Sequence, residues 1–208
     1  MLQRGKRRRR SDFSLKGKVV FFATNNFHKF DEARSVLTKQ GMAVGMLRVK
    51  ALEIQSDTLG EIAQASVVDA FNRCHLPVIV EDAGLFVEAL KGFPGPYAAY
   101  VYKTVGNLGL LKLMEGFENR KATFQSAISY FDGQSEPICF RGEVIGRVTN
   151  EERRGEEKAG FGFDPIFQPT GSQKTFAEMN LGEKNSFSHR AKAVSNFAEW
   201  YKRFRIQE

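Results

Sequence analysis

The architecture of this chain follows from one run of residues, Val19-Val20-Phe21-Phe22-Ala23-Thr24-Asn25-Asn26-Phe27-His28-Lys29. Its apolar residues 19–24 predict a buried strand, and the apolar spacing of residues 27–40 predicts a helix. Where a polar turn joins a buried strand to a helix, the first N–H groups of the helix have no partner within it. They can therefore donate to a ligand that binds above the turn. Residues 24–29 are therefore a candidate anion site, in which Lys29 supplies a mobile charge for a phosphate. In the simpler interpretation, Asn26 only caps the helix.

The rest of the chain alternates predicted strands and helices and then turns to an antiparallel strand pair. Strands are predicted at 43–49, 76–80, 122–131 and 138–148, and helices at 58–72, at 108–114 and along a C-terminal core stripe of Val194, Phe197, Tyr201 and Phe204. This order predicts an α/β fold with a mixed sheet. Ligands of such folds lie beyond the carboxyl ends of the strands, where residues 24–29 and 81–84 are both expected.

The net charge of +7 is a property of the N-terminus. Residues 1–18 hold eight Lys or Arg and one Asp, whereas the residues from 19 onward hold equal numbers of basic and acidic side chains. The chain therefore divides into a basic extension, residues 1–17, and a single domain, residues 18–208. A run such as Lys6 to Arg10 can dock on nucleic acid through phosphate contacts, but such runs are more often solvated ends. We expect nucleic acid as a partner only through this extension.

Cysteine usage and hydropathy indicate the compartment. Cys74 and Cys139 are isolated, and their spacing is neither that of a metal site nor that of a disulfide framework. No apolar run approaches the ~18 residues of a membrane span. The N-terminal arginines are not followed by the apolar stretch of a secretory signal. We therefore expect a cytoplasmic protein with no membrane partner.

Three acids are candidates for metal or proton chemistry: Glu53, Glu81 and Asp82. Glu81 and Asp82 are expected at the carboxyl end of a buried strand, where Gly84 lets the backbone turn sharply. Two adjacent acids cannot both face the core, so one can project into a cleft. Hard carboxylates from separate loops suit Mg²⁺, and one of them can take a proton from an attacking water. The alternative is that they are ordinary surface charges at strand ends.

Two clusters near the C-terminus can bind a nucleotide base. Residues 160–167 lack the third glycine of a dinucleotide loop, and we interpret them as aromatic faces that sandwich a base whose edge Asp164 reads. The alternative is a buried turn rich in Phe. Residues 183–190 gather several donors at a helix entry. There Ser188 is a natural cap, and His189 and Arg190 can donate to a keto oxygen.

Four ordered motifs together resemble the inosine triphosphate pyrophosphatase family, which hydrolyses non-standard purine nucleoside triphosphates such as ITP, dITP and XTP. The motifs are residues 24–29, 81–85, 161–165 and 188–190, the last with Lys184 upstream. Gly92-Phe93-Pro94-Gly95 also matches, and Glu53 falls where the family's other acid is expected. The resemblance covers about residues 18–205, which is almost everything except the basic extension.

The resemblance implies a role for each matching residue. Asp82 would be the general base and, with Glu53, a ligand of Mg²⁺. The triphosphate would be held by Thr24, Asn25, Asn26, Phe27, His28 and Lys29. The remaining substrate-binding residues would be Ala83, Phe161, Gly162, Phe163, Asp164, Lys184, His189 and Arg190. Two of these depart from the family pattern, because Ala83 stands where Ser or Thr is usual and Phe163 where Tyr or Trp is common.

The resemblance also implies a fold and a reaction. The fold would be a long twisted mixed sheet with helices on both faces and two lobes around a deep active-site cleft, usually in a homodimer. Water would attack the α-phosphorus and release a nucleoside monophosphate and pyrophosphate. A pocket of donors such as His189 and Arg190 would favour the keto group at purine C6, because adenine leaves buried donors unpaired at about 1–3 kcal/mol each.

Two other interpretations stay open. The first is a related pyrophosphatase with a different base preference, for example for modified pyrimidine nucleotides, since Ala83 and Phe163 depart from the pattern. The second is a nucleic-acid-binding module led by the basic residues 4–10. That module would bind with a steep salt dependence and would release no pyrophosphate.

Overall fold

The computed structural model describes residues 19–155 and 160–205, which form seven strands and six α-helices. The strands are β1 (Val19–Ala23), β2 (Ala43–Leu47), β3 (Val78–Val87), β4 (Pro94–Gly95), β5 (Lys121–Phe131), β6 (Ile138–Val148) and β7 (Phe167–Pro169). The helices are α1 (Phe27–Lys39), α2 (Leu59–Cys74), α3 (Ala98–Thr104), α4 (Gly106–Leu113), α5 (Leu181–Phe187) and α6 (His189–Arg205). None of these helices is long and apolar enough to cross a membrane.

The strands form one mixed sheet in the order β2-β1-β3-β5-β6-β7, with β4 beside β3. β1 is parallel to β2 and β3, whereas the β3–β5, β5–β6 and β6–β7 pairs are antiparallel. The predicted mixed sheet and its antiparallel strand pair are therefore confirmed. β1 pairs with β3 only as far as Phe22 opposite Ile79. β3 consequently runs past the carboxyl end of β1, and its residues 81–84 border the space above that end.

Helices cover both faces of the sheet, as predicted. Val78 and Val80 of β3 pack in one core cluster with Val67 of α2. Ile79 packs in a different cluster with Phe197 of α6 and residues of α1. Because successive side chains of a strand point to opposite faces, α2 covers one face, and α1 and α6 cover the other.

A third core cluster lies beyond residues 81–84 along β3. It joins Leu85 of β3 to Val101 of α3, Leu110 of α4 and Phe167 of β7. The residues between the clusters therefore sit where two packed regions of the described chain adjoin. The division into two lobes around a cleft stays a prediction.

Short polar side chains begin the helices that position the site. Asn26 caps α1, with its Oδ1 accepting from the N–H groups of His28 and Lys29 at 3.0 and 3.2 Å. The Ser188 hydroxyl accepts from the Ala191 N–H of α6 at 3.0 Å, which confirms the predicted cap. These caps fix where the first side chains of α1 and α6 project.

The strand that carries the two adjacent acids is longer than predicted. Residues 81–84 lie within β3 rather than at its carboxyl end, because β5 pairs with β3 along its whole length. The expected sharp turn at Gly84 is therefore wrong. A Cβ built on Gly84 would lie 2.4 Å from the carbonyl oxygen of Gly95. Glycine at position 84 thus allows the backbone of β4 to approach β3 closely.

Other differences are local. α3 was not predicted, because it begins directly after the Gly and Pro residues of 92–96, which favour a loop. Phe204 is half exposed in the last turn of α6, so its place in the predicted core stripe is wrong, although Val194, Phe197 and Tyr201 are buried. The glycines and charged residues of 155–162 predict a mobile segment, of which residues 156–159 lie outside the described residues.

Candidate active site

The turn from β1 into α1 forms one wall of the site, and its hydrogen bonds are largely internal. Besides the cap by Asn26, the Thr24 hydroxyl accepts from the Asn26 N–H at 3.1 Å. The predicted cap by Asn26 is therefore confirmed, and the N–H groups of His28 and Lys29 are not the free donors that the sequence suggested. Lys29 is the side chain of this turn that carries a positive charge for an anion.

Lys29 reaches from α1 across to β3. Its Nζ lies 2.8 Å from Glu81 Oε2 and 3.3 Å from the Glu81 carbonyl oxygen. The Glu81 carboxylate is fully buried and also accepts from Ser126 at 2.7 Å and from Arg190 at 3.0 Å. Burial alone would raise the pKa of Glu81, but Arg190 and Lys29 lower it well below its usual range. Glu81 is thus a permanent anion that orients two cations, rather than a proton acceptor.

The carboxylate of Asp82, unlike that of Glu81, keeps one oxygen without a partner in the described chain. Its Oδ2 is buried and has no hydrogen-bond partner among residues 19–155 and 160–205. Burial, helped by the neighbouring negative charges of Glu81 and Glu53, outweighs the lowering effect of Lys29 and raises the pKa of Asp82 to about 6. A carboxylate with a pKa near neutrality and an unpaired oxygen is suited to accept a proton.

Behind this wall lies a buried charge network whose centre is Glu32, a residue that belongs to none of the motifs found in the sequence. Glu32 of α1 accepts from Lys184 at 2.6 Å and from Arg190 at 2.5 Å. Lys184 also lies 2.6 Å from Asp164 Oδ2. Burial alone would raise the pKa of Glu32. The positive charges of Arg190 and Lys184 outweigh burial, so the pKa of Glu32 lies below its usual value. The only signal in the sequence was an acid beside Ala33 on the predicted apolar face of α1.

Asp164 also belongs to this network. Asp164 is buried, and its Oδ2 already accepts from Lys184 and from the Phe161 N–H at 2.8 Å. Burial raises the pKa of Asp164 despite the nearby ammonium group of Lys184. The Asp164 carboxylate therefore shapes the loop of residues 161–164. Lys184 lies behind the cavity wall and lines neither of the two cavities described below.

The other wall of the site is built from aromatic rings that pack against one another. The ring of His28 stacks on Phe161 with centroids 5.2 Å apart, and Phe124 stacks on His189 at 4.7 Å. Phe163 is buried and packs edge-on against Tyr102 at 5.7 Å. One face of Phe161 thus already meets His28, so base stacking on that face requires His28 to move. Phe124, which the sequence analysis assigned only to a strand, is a second wall residue.

His189 is buried and neutral. Burial, together with the neighbouring positive charge of Arg190, lowers the pKa of His189 well below its usual value. Its Nδ1 has no partner in the described part of the chain. Burial would lower the pKa of Arg190, but Glu81 and Glu32 raise it, so the guanidinium stays charged. One neutral imidazole and one fixed cation therefore face the same cavity.

Two adjoining cavities unite these elements. The phosphate-side cavity has a volume of about 610 Å³ and is lined by all six residues from Thr24 to Lys29. The base-side cavity, about 420 Å³, is lined by Ala83, by residues 161–164 and by His189 and Arg190. Both cavities share seven lining residues, namely Asn26, His28, Lys29, Glu53, Asp82, Ala99 and Lys103. The structure thus brings together every residue selected from the sequence except Lys184.

The two carboxylates shared by the cavities fit a hard divalent cation. Asp82 offers a buried oxygen without a partner, and Glu53 is exposed on a separate loop of the same cavity wall. In residues 19–155 and 160–205, no group of three or more His, Cys, Asp or Glu side chains could hold a metal ion. Asp82 and Glu53 are thus the residues that could hold a cation such as Mg²⁺, which is usually bound by one or two carboxylates together with waters and substrate phosphates.

The fold and the site define an open mixed-sheet α/β protein with a two-part cavity whose junction carries two lysines and two acids. The model of the Ham1 family matches residues 20–200, and the chain belongs to this family.

Named relatives agree with that assignment. The chain is 52% identical over 183 residues to a dITP/XTP pyrophosphatase of Methanopyrus kandleri, covering 88% of this chain and 96% of the relative. It is 49% identical to a dITP/XTP pyrophosphatase of Thermococcus kodakarensis, covering 87% and 96%. The solved structure of the Staphylococcus aureus Ham1 protein superposes with a TM-score of 0.74 at 27% identity, covering 89% of this chain and 98% of that one.

Proposed function

We propose that the protein hydrolyses non-standard purine nucleoside triphosphates (ITP, dITP and XTP) to the monophosphate and pyrophosphate. The observation that carries this proposal is the junction of the two cavities, where Lys29, Glu53 and Asp82 all line both. In a nucleoside triphosphate, the α-phosphorus lies between the base and the terminal phosphates. A substrate that fills both cavities therefore presents its α-phosphorus to Asp82.

The relatives support the substrate class. The two archaeal proteins described above are named dITP/XTP pyrophosphatases, and each matches almost its whole length. The four motifs on which the resemblance rests all lie within residues 20–200, which the family model matches. We extend the substrate class from those proteins to this one.

The chemical step that we propose uses Asp82 as the base. Its unpaired Oδ2 accepts a proton from a water molecule, whose oxygen attacks the α-phosphorus. The bond from the α-phosphorus to the bridging oxygen breaks, and its electron pair leaves with pyrophosphate. A pKa of about 6 leaves Asp82 mostly ionised at neutral pH and still able to hold a proton.

Charge at the phosphate end is balanced by side chains and by a cation. Lys29 lines both cavities, and its ammonium group is held in a defined position by Glu81. We propose that Glu53 and Asp82 hold Mg²⁺, which when bound would neutralise phosphate oxygens and stabilise the departing pyrophosphate. Because the Lys29–Glu81 pair exists before substrate binds, little reorganisation is required of Lys29.

Base selection is proposed to rest on the donors of the base-side cavity. Arg190 is charged and fixed by two carboxylates, and the neutral His189 carries one ring N–H. A keto oxygen at purine C6 accepts from such donors, whereas an amino group cannot. Each buried donor left unpaired costs about 1–3 kcal/mol, so adenine would be disfavoured by one to several orders of magnitude.

The assembly and the location are parts of the same proposal. Large apolar side chains are exposed on α3 and α4, among them Tyr100 and Leu108, at 69% and 74%. This face supports a homodimer, which light scattering would test. The proposed substrates belong to the cellular nucleotide pool, so we place the activity in the cytoplasm. We treat residues 18–208 as one working domain and residues 1–17 as an extension outside it.

The experiment that tests this function is pyrophosphate release from a panel of triphosphates with and without Mg²⁺. We expect release from ITP, dITP and XTP in the presence of Mg²⁺, and much less from ATP and dATP. Preference for dUTP or another pyrimidine nucleotide would favour the related pyrophosphatase. Turnover that is unaffected by deletion of residues 1–17 would separate the reaction from any nucleic-acid binding by the basic extension.

A further inference from the structure

Lys103 lies where the phosphate-side and base-side cavities meet. It lines both cavities, as does Ala99 one turn earlier on α3. Lys50, by contrast, lines only the phosphate-side cavity. Lys103 falls in none of the motifs that carry the proposed function, so its position at the junction comes from the structure alone.

The backbone of Lys103 is held in place by its neighbours on α3. Ala98 and Val101 are buried in the core beside β7, and Tyr102 packs edge-on against Phe163 of the base-side wall. The side chain of Lys103 is exposed. A fixed backbone and a free four-carbon side chain allow the ammonium group to reach a ligand at the junction.

The charges around the junction distinguish Lys103 from the other cations. Lys29 is paired with Glu81, and Arg190 is paired with Glu81 and Glu32. Lys103 forms no salt bridge with any acid of residues 19–155 and 160–205. Its charge is therefore available to an incoming anion, whereas Lys29 must share its charge with Glu81.

We propose that Lys103 binds the α-phosphoryl group of the nucleoside triphosphate and stabilises the charge on its non-bridging oxygens as water attacks. This inference rests on the proposed function, since Asp82 occupies the same junction. The bonds made and broken are those of that reaction, in which the water proton goes to Asp82 and the electron pair leaves with pyrophosphate. Lys103 adds a positive charge beside the non-bridging oxygens, which carry negative charge in the transition state.

Three variants test this role. Lys103→Gln removes the charge, Lys103→Arg keeps it, and Lys112→Gln removes an exposed lysine of α4 that lines neither cavity. Thermal unfolding should be unchanged in all three, because both lysines are exposed. The two readouts are kcat/KM for dITP with Mg²⁺, and calorimetric binding of the α,β-imido analogue of dITP, which cannot be cleaved at that bond.

We expect Lys103→Gln to lower kcat/KM by at least ~10-fold and to weaken analogue binding, Lys103→Arg to restore most of both, and Lys112→Gln to change neither. If Lys103→Gln matches the wild type in both readouts, the inference is overturned, while the proposed function stands on the wild-type activity. If the wild type binds the analogue but releases no pyrophosphate, the proposed function fails. In that case, weaker binding by Lys103→Gln still supports the phosphate contact, and unchanged binding overturns it.

Discussion

Glu81 and Asp82 are neighbours in β3, yet their carboxylates lie on opposite faces of the sheet. Glu81 faces α6 and is held by Arg190, Lys29 and Ser126, whereas Asp82 faces the α2 side and keeps one oxygen unpaired. The pKa of Glu81 is lowered and that of Asp82 is raised to about 6. One carboxylate of the pair is thus a fixed anion and the other is a candidate base, which is how environment assigns roles to adjacent acids.

The first prediction concerns Asp82→Asn. Loss of the base should lower kcat by about 10²–10⁴-fold, since general-base catalysis contributes that much. Burial raises the pKa of Asp82 in the folded state, so the protonated carboxyl group adds to the free energy of unfolding at low pH. This contribution is lost as the pH rises through about 6. The variant should therefore be at least as stable as the wild type at neutral pH. Chemical denaturation and steady-state kinetics measure the two effects, and near-normal turnover would remove Asp82 from the role of base.

The second prediction concerns Glu32→Gln, which removes the carboxylate shared by Lys184 and Arg190. Breaking a buried ion pair leaves uncompensated charge and costs about 3–5 kcal/mol of unfolding free energy. Arg190 would also lose one of its two orienting partners, so kcat/KM for purine substrates should fall. Urea denaturation together with kinetics measures both losses.

The matched control for Glu32→Gln is Lys121→Gln, which breaks the exposed pair between Lys121 and Glu88. Exposed pairs contribute less than about 1 kcal/mol, and this pair lies outside both cavities. The control should leave kcat/KM unchanged. If the two variants lost similar stability, the buried network would have no special role in the fold.

The third prediction concerns Gly142→Ala on β6. A Cβ at this position would lie 2.2 Å from the His189 carbonyl oxygen and 2.5 Å from the Ala193 N atom. α6 must therefore shift, which would cost about 1–3 kcal/mol and displace His189 and Arg190 from the base-side cavity. Gly182→Ala is the control, because its nearest contact is 3.3 Å away at Asn180 Oδ1. A Gly142→Ala variant with normal stability and activity would show that α6 can move without consequence.

The fourth prediction concerns the pH dependence of stability. The pKa of His189 is lower in the folded than in the unfolded state. Its contribution to the free energy of unfolding is therefore complete above about pH 6.5 and is lost as the pH falls, because the unfolded chain then binds a proton that the folded chain does not. Between about pH 7 and pH 5.5, the wild type should lose about 1 kcal/mol relative to His189→Gln. Denaturation of both proteins at several pH values yields this difference, and parallel curves would contradict a buried, neutral His189.

Most of the fold could be predicted from the sequence because its elements carry strong local signals. The apolar run 19–23, the cap at Asn26 and the paired strands β5 and β6 each indicate one structure. The length of β3 could not be predicted, since Glu81, Asp82 and Gly84 resemble a strand end when read locally. They stay in the strand because β5 pairs with them and because β4 requires a glycine at position 84.

The site could be predicted as a set of residues but not as a set of contacts. Its residues fall in motifs, whereas the roles of Glu32 and Lys103 depend on elements that meet only in the folded chain. Glu32 joins α1 to α6 across a sequence separation that no local pattern reveals. Lys103 lies on α3, a helix that could not be predicted because the glycines and prolines directly before it favour a loop.

The most direct test of the central claim is the fate of solvent oxygen during hydrolysis of dITP in ¹⁸O-labelled water. Attack at the α-phosphorus, opposite Asp82 at the junction of the two cavities, places the label in the deoxyinosine monophosphate and none in the pyrophosphate. Mass spectrometry of the two products measures this distribution. Label in the pyrophosphate, or release of orthophosphate in its place, would contradict the account.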